Sequence, residues 1–417
     1  MSENGSKVLI IGFVWPEPGS SAAGKRMVQL IDTFVYEGCD ITFVSTARMN
    51  ERSENLTEKG ISCRSVKVND ESFDHFIRKL NPEIVLFDRF MTEEQFGWRV
   101  QTTCPDALRI LDTEDLHFLR YARERAFKEG RDRIQDYLVS DIAKREIASI
   151  YRSDLSLIIS ESEMYLLKDY FRVNDEILFY LPFMIEEPDH SNTLELPSFS
   201  QRNGFMTIGN FRHKPNLDAV LFLKEEIWPG IRRNLPDAKM NVYGAYPTQQ
   251  VSEWHNPDDG FLVHGRAESA YHVMQKHRIC LAPIRFGAGL KGKLVEAMLN
   301  GTPSVTTTMG AEGICGSMKW PGFLADSTDK IISSAVRLYT DESLWEKSRD
   351  QGFTLLSERF SKEKNQRKFI SVIRRLGNEL QHHRRHNFTG AMLMHHTMAS
   401  TRFMGRWIEE KNKKKDT

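Results

Sequence analysis

The stretch Ile279-Cys-Leu-Ala-Pro283-Ile-Arg285-Phe-Gly287-Ala-Gly289-Leu-Lys291-Gly-Lys293-Leu-Val-Glu296-Ala-Met298 sets an apolar run, a glycine loop and a helix start in immediate succession. A short apolar run closed by turn residues reads as a strand buried on both faces, here 279–283. Gly287 and Gly289 free the backbone where a helix begins. Unpaired amides and the helix dipole at such a point attract a diphosphate. Lys291 and Lys293 add positive charge within the first turns. Glu296 lies further along the helix, where its two carboxylate oxygens could accept the vicinal hydroxyls of a ribose. Taken alone, the pattern is equally a glycine turn followed by a solvated Lys/Glu face, so its surroundings decide.

Working outward, the same alternation of strand and helix recurs on both sides. Strand patterns at 204–209, 239–243 and 260–264 alternate with helical ones at 217–228 and 269–276. A first series holds strands at 7–12, 40–45, 84–88, 108–112 and 155–160, with helical spacing at 25–36, 72–80 and 131–151. Alternation of this kind predicts open parallel sheets with crossovers on both faces. Residues 182–202 are rich in Pro, Ser, Asn and acids without periodicity, which marks a hinge. The expected architecture is α/β: two Rossmann-like lobes, each a mostly parallel sheet with helices on both faces. The first covers 1–190, the hinge 191–203, the second lobe 204–376, and a tail of different character 377–417.

Length agrees, since 417 residues exceed what one core usually serves. Lys and Arg number 57 and so do Asp and Glu, giving zero formal charge. With no global field to gather nucleic acid, an anionic ligand must be held by a local arrangement. Five dispersed cysteines without a CxxC pair suggest neither a disulfide framework nor a zinc site. The polar start and the short apolar run at 8–15 suggest neither a signal peptide nor a span, so a cytoplasmic protein is expected.

Two first-lobe segments carry candidate chemistry. Gly19-Ser-Ser-Ala-Ala-Gly24-Lys25-Arg26 nearly spells the phosphate-cradling G-x4-G-K-[ST] pattern, but Arg26 stands where magnesium needs a hydroxyl. It reads better as a small-residue turn letting backbone amides approach a ligand. Asp112-Thr-Glu-Asp-Leu-His117-Phe-Leu-Arg120 begins where a strand ends, which makes His117, Asp112, Glu114 and Asp115 site candidates. Asp115 could instead cap the following helix.

The glycine loop of 287–298, with Gly301-Thr-Pro303 and Gly310-Ala-Glu312-Gly313, resembles the nucleotide-sugar signature of retaining GT-B glycosyltransferases of the group 1, or family 4, type. The 112–120 segment, Ser160-Glu-Ser-Glu163 and Phe205-Met-Thr-Ile-Gly209-Asn-Phe-Arg-His-Lys-Pro-Asn216 resemble its other landmarks, in order. The resemblance implies transfer of a sugar from a nucleotide diphosphate sugar, with retention, in the cleft between lobes. It places Glu296 on the donor ribose, and Gly287, Ala288, Gly289, Lys291 and Lys293 at the diphosphate. Gly310, Ala311, Glu312 and Gly313 would line the nucleotide pocket, and His117 would sit near the transferred sugar. The donor is then a substrate, with no tightly bound cofactor and no metal expected where Arg and Lys neutralise the diphosphate.

Two positions depart from the family pattern. Its Glu eight residues before the ribose-binding one is Ala288, and its Arg after the strand-ending glycine is Asn210, with Arg212 or Lys214 close enough to supply the charge. These departures keep open a catalytically silent module that binds nucleotide or glycan, and more remotely a sugar-nucleotide epimerase. The implied partners are the donor and a glycan, lipid-linked or small-molecule acceptor, without nucleic acid. A tail helix over 391–411 would place Leu393, Met394, Met398, Phe403, Trp407 and Ile408 on packing surfaces and return to the first lobe. The alternative is a basic amphipathic helix touching a membrane, through the lysines at 411–415.

Overall fold

The computed structural model describes residues 5–131, 133–187 and 196–413. The first part of the expected hinge, 191–195, lies outside them.

The first sheet has seven strands: β1 (Lys7–Gly12), β2 (Asp40–Ser45), β3 (Ser62–Ser65), β4 (Ile84–Asp88), β5 (Leu108–Asp112), β6 (Leu155–Ile158) and β7 (Leu178–Tyr180). Their order is β3-β2-β1-β4-β5-β6-β7, and every pair is parallel. Successive side chains alternate between faces, so Leu9, Ile11, Val85 and Phe87 enter one core while Val8, Ile10, Ile84 and Leu86 enter the other. The second sheet is likewise parallel, in the order β10-β9-β8-β11-β12-β13. Its strands are β8 (Phe205–Ile208), β9 (Met240–Tyr243), β10 (Phe261–Gly265), β11 (Ile279–Ala282), β12 (Ser304–Thr306) and β13 (Gly322–Leu324). In both sheets the order reverses beside the first strand, the crevice where such sheets place ligands.

The helices that matter below are α1 (Ala22–Tyr36), α2 (Arg89–Thr103), α3 (His117–Lys128), α4 (Asp141–Arg152), α5 (Gly292–Leu299), α6 (Lys362–His386) and α7 (Phe388–Lys413). The single helical pattern at 131–151 is broken: a short turn at Gln135–Leu138 precedes α4, whose Ser140 cap accepts the Ala143 amide. The crossover begins earlier than the tail boundary at 377. It starts at Ser361, which bridges to Ile185, and runs through α6, whose Phe369, Ile370, Ile373, Leu376 and Leu380 complete a first-lobe core. Helix α7 then packs on α2 and α4 through Met394, which touches Trp98, and through two glycines. A Cβ at Gly390 would lie 2.1 Å from the Tyr151 carbonyl oxygen, and one at Gly405 3.3 Å from the Trp98 ring. Close approach on that side turns Phe403 and Trp407 outward, 70 % and 60 % exposed, contrary to the packing role expected for them. The side chain of Met398 is outside the described ones.

Candidate active site

Loops from the carboxyl ends of both sheets line one cleft of about 830 Å³. From the first lobe come the 13–25 loop after β1, Asp88 and Arg89 after β4, and Glu114, Asp115, His117 and Arg120 after β5. From the second come 208–210, 212–213 and 215–216 after β8, 244–246 after β9, 266–271 after β10, and 284 and 286–293 with Glu296 after β11.

The glycine loop is pinned to the first lobe. Gly289, at φ +63, donates its amide to Glu163 Oε1 at 2.8 Å, and a Cβ there would fall 2.8 Å from that of Asp115. Glu163 also accepts the Leu116 amide (3.0 Å). Burial and then the Asp115 charge push its carboxyl up to about 8, against the two amides that favour ionisation. Arg123 of α3 donates to the Gly287 carbonyl (2.8 Å) and grips both oxygens of Glu312 at 2.6 Å. Gly287, Ala288 and Gly289 thus reach the cleft, whereas Gly310, Ala311, Glu312 and Gly313 do not line it. A Cβ on Gly313 would come 2.3 Å from Ser160 Oγ, so this segment is a close interlobe contact behind the loop.

Both loop lysines line the cleft. Lys291 Nζ donates to the Gly289 carbonyl (3.0 Å) and lies 4.0 Å from Glu312; Lys293 Nζ donates to Asn216 Oδ1 (2.8 Å). Burial draws each down to about 8, which leaves two ammonium groups short of counter-charge beside helix α5. Asn216 in turn donates to the carbonyl of Asn210 (3.0 Å), whose side-chain oxygen accepts the Arg212 amide (2.9 Å). Glu296 meets Lys25 Nζ of the first lobe at 2.8 Å.

Among the other candidates, Arg212 lines the cleft with its guanidinium 3.8 Å above the Tyr246 ring, and Tyr246 donates to Glu17 of the first lobe (2.8 Å). Lys214 is not brought in: its ammonium pairs with Glu124 of α3 (2.7 Å), outside the cleft lining. His117 lines the cleft, its Nδ1 3.1 Å from the Asp115 carbonyl oxygen and 3.5 Å from Glu146. Asp115 does not cap α3. Glu146 of α4 accepts the His117 and Phe118 amides (3.1 and 2.9 Å), while Asp115 is bonded to Arg120. Burial would raise the Asp115 carboxyl, but Arg120 and His117 hold it well below the usual range.

Sequence reading passed over Asp88, Arg89, His213, Asn216 and Tyr246, all in the cleft wall. Asp88 was within reach of the strand-end rule that singled out Asp112, and His213 and Asn216 stand in the 205–216 landmark; Arg89, at the start of α2, and Tyr246 carry no local signal. Arg26, which disqualified the nucleotide-loop reading, is buried and donates through Nε to both oxygens of Asp112 (2.9 and 3.2 Å). Among the described residues no group of three or more His, Cys, Asp or Glu side chains is arranged to hold a metal ion.

Residues 202–341 match the sequence model of glycosyl transferases group 1. No curated protein sequence matches the chain. Among solved structures, sucrose-phosphate synthase from Thermosynechococcus elongatus superposes with a TM-score of 0.66 at 14 % identity, covering 89 % of this chain and 99 % of that one. TarM gives 0.68 at 9 %, covering 88 % and 98 %, and Anabaena HepE in complex with UDP and glucose gives 0.63 at 9 %, covering 88 % and 99 %. By sequence, residues 202–341 of the second lobe are similar to glycosyl transferases group 1, and the chain as a whole shares the two-lobed GT-B fold of these solved structures.

Proposed function

We propose that the protein transfers a hexose from a nucleotide diphosphate sugar to a hydroxyl acceptor, in the interlobe cleft and with retention of configuration. One observation carries this reading: the glycine loop, its two under-neutralised lysines and Glu296 open onto the same cleft as His117 and the strand ends of the first lobe. Anabaena HepE, of the same fold, is a complex with UDP and glucose, which supports a nucleotide sugar as donor.

Breaking the bond between the anomeric carbon and the diphosphate sends the electron pair onto the phosphate and leaves positive charge on the ring. Lys291, Lys293, Arg212 and the α5 amides stabilise the departing diphosphate, where preorganised donors contribute most. If the acceptor oxygen attacks from the face the diphosphate leaves, its proton passes to a phosphate oxygen as the new bond forms. Configuration is then retained without an enzyme nucleophile, and the cations take the place a metal would fill. Glu296 exchanges Lys25 for the ribose hydroxyls. Residues 1–190, with the crossover from Ser361 packed on them, supply the acceptor side and 204–360 the donor side, with 191–203 as the hinge between them.

Acceptors of this reading are a glycan, a lipid-linked sugar or a small molecule. Membrane contact is part of it: no helix among the described residues is long and apolar enough to cross a membrane, but α7 shows Phe403, Trp407, Arg406 and Lys411 to solvent, a face suited to an anionic lipid surface.

The test is a thermal-shift screen of UDP, GDP and ADP with their sugars, followed by assay of sugar release or transfer. Glu296→Ala is expected to cost about 2 kcal/mol in nucleotide affinity, as loss of a charged hydrogen-bonding partner does. Nucleotide binding without turnover of any donor would leave the silent module as the correct reading.

A further inference from the structure

The first-lobe wall of the cleft is built where β4 and β5 end side by side, with Asp88 in register with Asp112. Just beyond these ends, two non-glycine residues take left-handed backbone: Arg89 at φ +69 and Glu114 at φ +64. Only six non-glycine residues do so among those described. Such conformations persist where the surroundings impose them, and they gather at ligand sites. Here the two turns carry Asp88, Arg89 and Glu114 to the cleft surface.

Asp112, between them, is fully engaged by Arg26. Its neighbours are not. Asp88 is 4 % exposed; its Oδ2 accepts the Phe13 amide (2.9 Å), while Oδ1 accepts no hydrogen bond and has Arg89 Nε 3.7 Å away as a cation. Glu114 is 9 % exposed, and its Oε1 has no hydrogen-bond partner. Two adjacent, buried carboxyl oxygens left unsatisfied at a cleft wall call for a ligand that supplies the missing partners. Guanidinium groups lie among these acids, and they are not disposed as metal ligands. What fits is a ligand rich in hydroxyl groups.

We propose that Asp88 and Glu114 form an acceptor site for the adjacent hydroxyls of a sugar or other polyol, orienting one of them toward the donor. This rests on the transferase reading above. The two side chains are not equivalent. Burial, and then the Asp112 charge, push Glu114 well above the usual carboxyl range, so it is the hydrogen-bond donor of the pair. Burial also raises Asp88, with Arg89 opposing it and Asp112 adding to it; because its Oδ2 already accepts the Phe13 amide, Asp88 serves as the acceptor. A vicinal diol, one hydroxyl giving and the next receiving, matches that combination.

The experiment uses full-length Asp88→Asn, Asp88→Ser and Glu114→Gln proteins, checked for an unchanged thermal midpoint. UDP affinity is measured by calorimetry, and transfer from the donor found in the screen is followed to a panel of free hexoses, disaccharides, inositol and glycerol. The expected result is UDP affinity within about twofold of wild type and an acceptor KM raised at least about tenfold, the worth of one lost hydrogen bond to a charged group. Unchanged acceptor KM, a parallel loss of UDP affinity, or a wild-type enzyme that turns over its donor but uses no hydroxylated acceptor would each overturn the proposal. A wild-type protein that binds no nucleotide would instead overturn the transferase reading itself.

Discussion

Two glycine loops, each between a parallel strand and a helix, meet at the cleft: Gly19 to Lys25 in the first lobe and Gly287 to Lys293 in the second. Their sequences promise similar anion sites, yet they treat their cations differently. In the first loop Arg26 is consumed by Asp112 as a buried support, and Lys25 reaches across to Glu296. In the second, Lys291 and Lys293 hydrogen-bond to a carbonyl and an amide oxygen, and the carboxylate near Lys291, Glu312 at 4.0 Å, is already gripped through both oxygens by Arg123. The difference shows that the charge available to a ligand depends less on how many lysines a loop holds than on whether a fixed carboxylate has already claimed them.

The largest effect expected from this contrast is at Lys293. Lys293→Met should weaken UDP binding by about 10- to 100-fold, the usual worth of a hydrogen bond to a charged group. Calorimetry checks it, and an unchanged Kd would put the diphosphate elsewhere. Next comes pH. With both second-loop lysines at about 8, the ammonium forms predominate below that value, so UDP affinity should be greatest there. It should fall as pH climbs, by up to about tenfold per unit for each lysine that must be charged. Folding stability responds with the opposite sign. Because these lysines titrate lower in the fold than in the unfolded chain, their contribution is full above about 10.5 and is lost as pH falls through 8. Parallel pH series of UDP affinity and thermal midpoint would show the two slopes opposed. The smallest effect belongs to Lys25. Lys25→Ala removes a partly exposed pair, worth no more than about 1 kcal/mol, and should let uridine bind about two- to fivefold tighter by freeing Glu296. Uridine affinity that stays the same would mean that the ion pair does not compete with the ribose.

The main strands were legible because the side chains along β1, β4 and β5 are buried on both faces and therefore continuously apolar. Four strands were not: β3, β7, β12 and β13 have three or four residues each, and β3 lies at a sheet edge with Ser62, Arg64 and Ser65 exposed, too short and too polar to carry a pattern. Helix α7 was legible as a helix but not in its orientation, because glycines, which have no side chain to mark a face, set its packing side. In the cleft, His117, Arg212, Lys291, Lys293 and Glu296 could be named from motifs. Their partners could not: Gly289 and its acceptor Glu163 are 126 residues apart, and Arg123 and Glu312 are 189.

The sequence by itself determined two parallel α/β lobes and the glycine loop at a helix start, since strand burial and helix spacing are local consequences of residue order. Only the tertiary structure decided which charges remain free. It placed Glu124 against Lys214 and Glu296 against Lys25, and it left the inward oxygens of Asp88 and Glu114 without partners. Ion pairing acts over a few ångströms of space and is indifferent to distance along the chain.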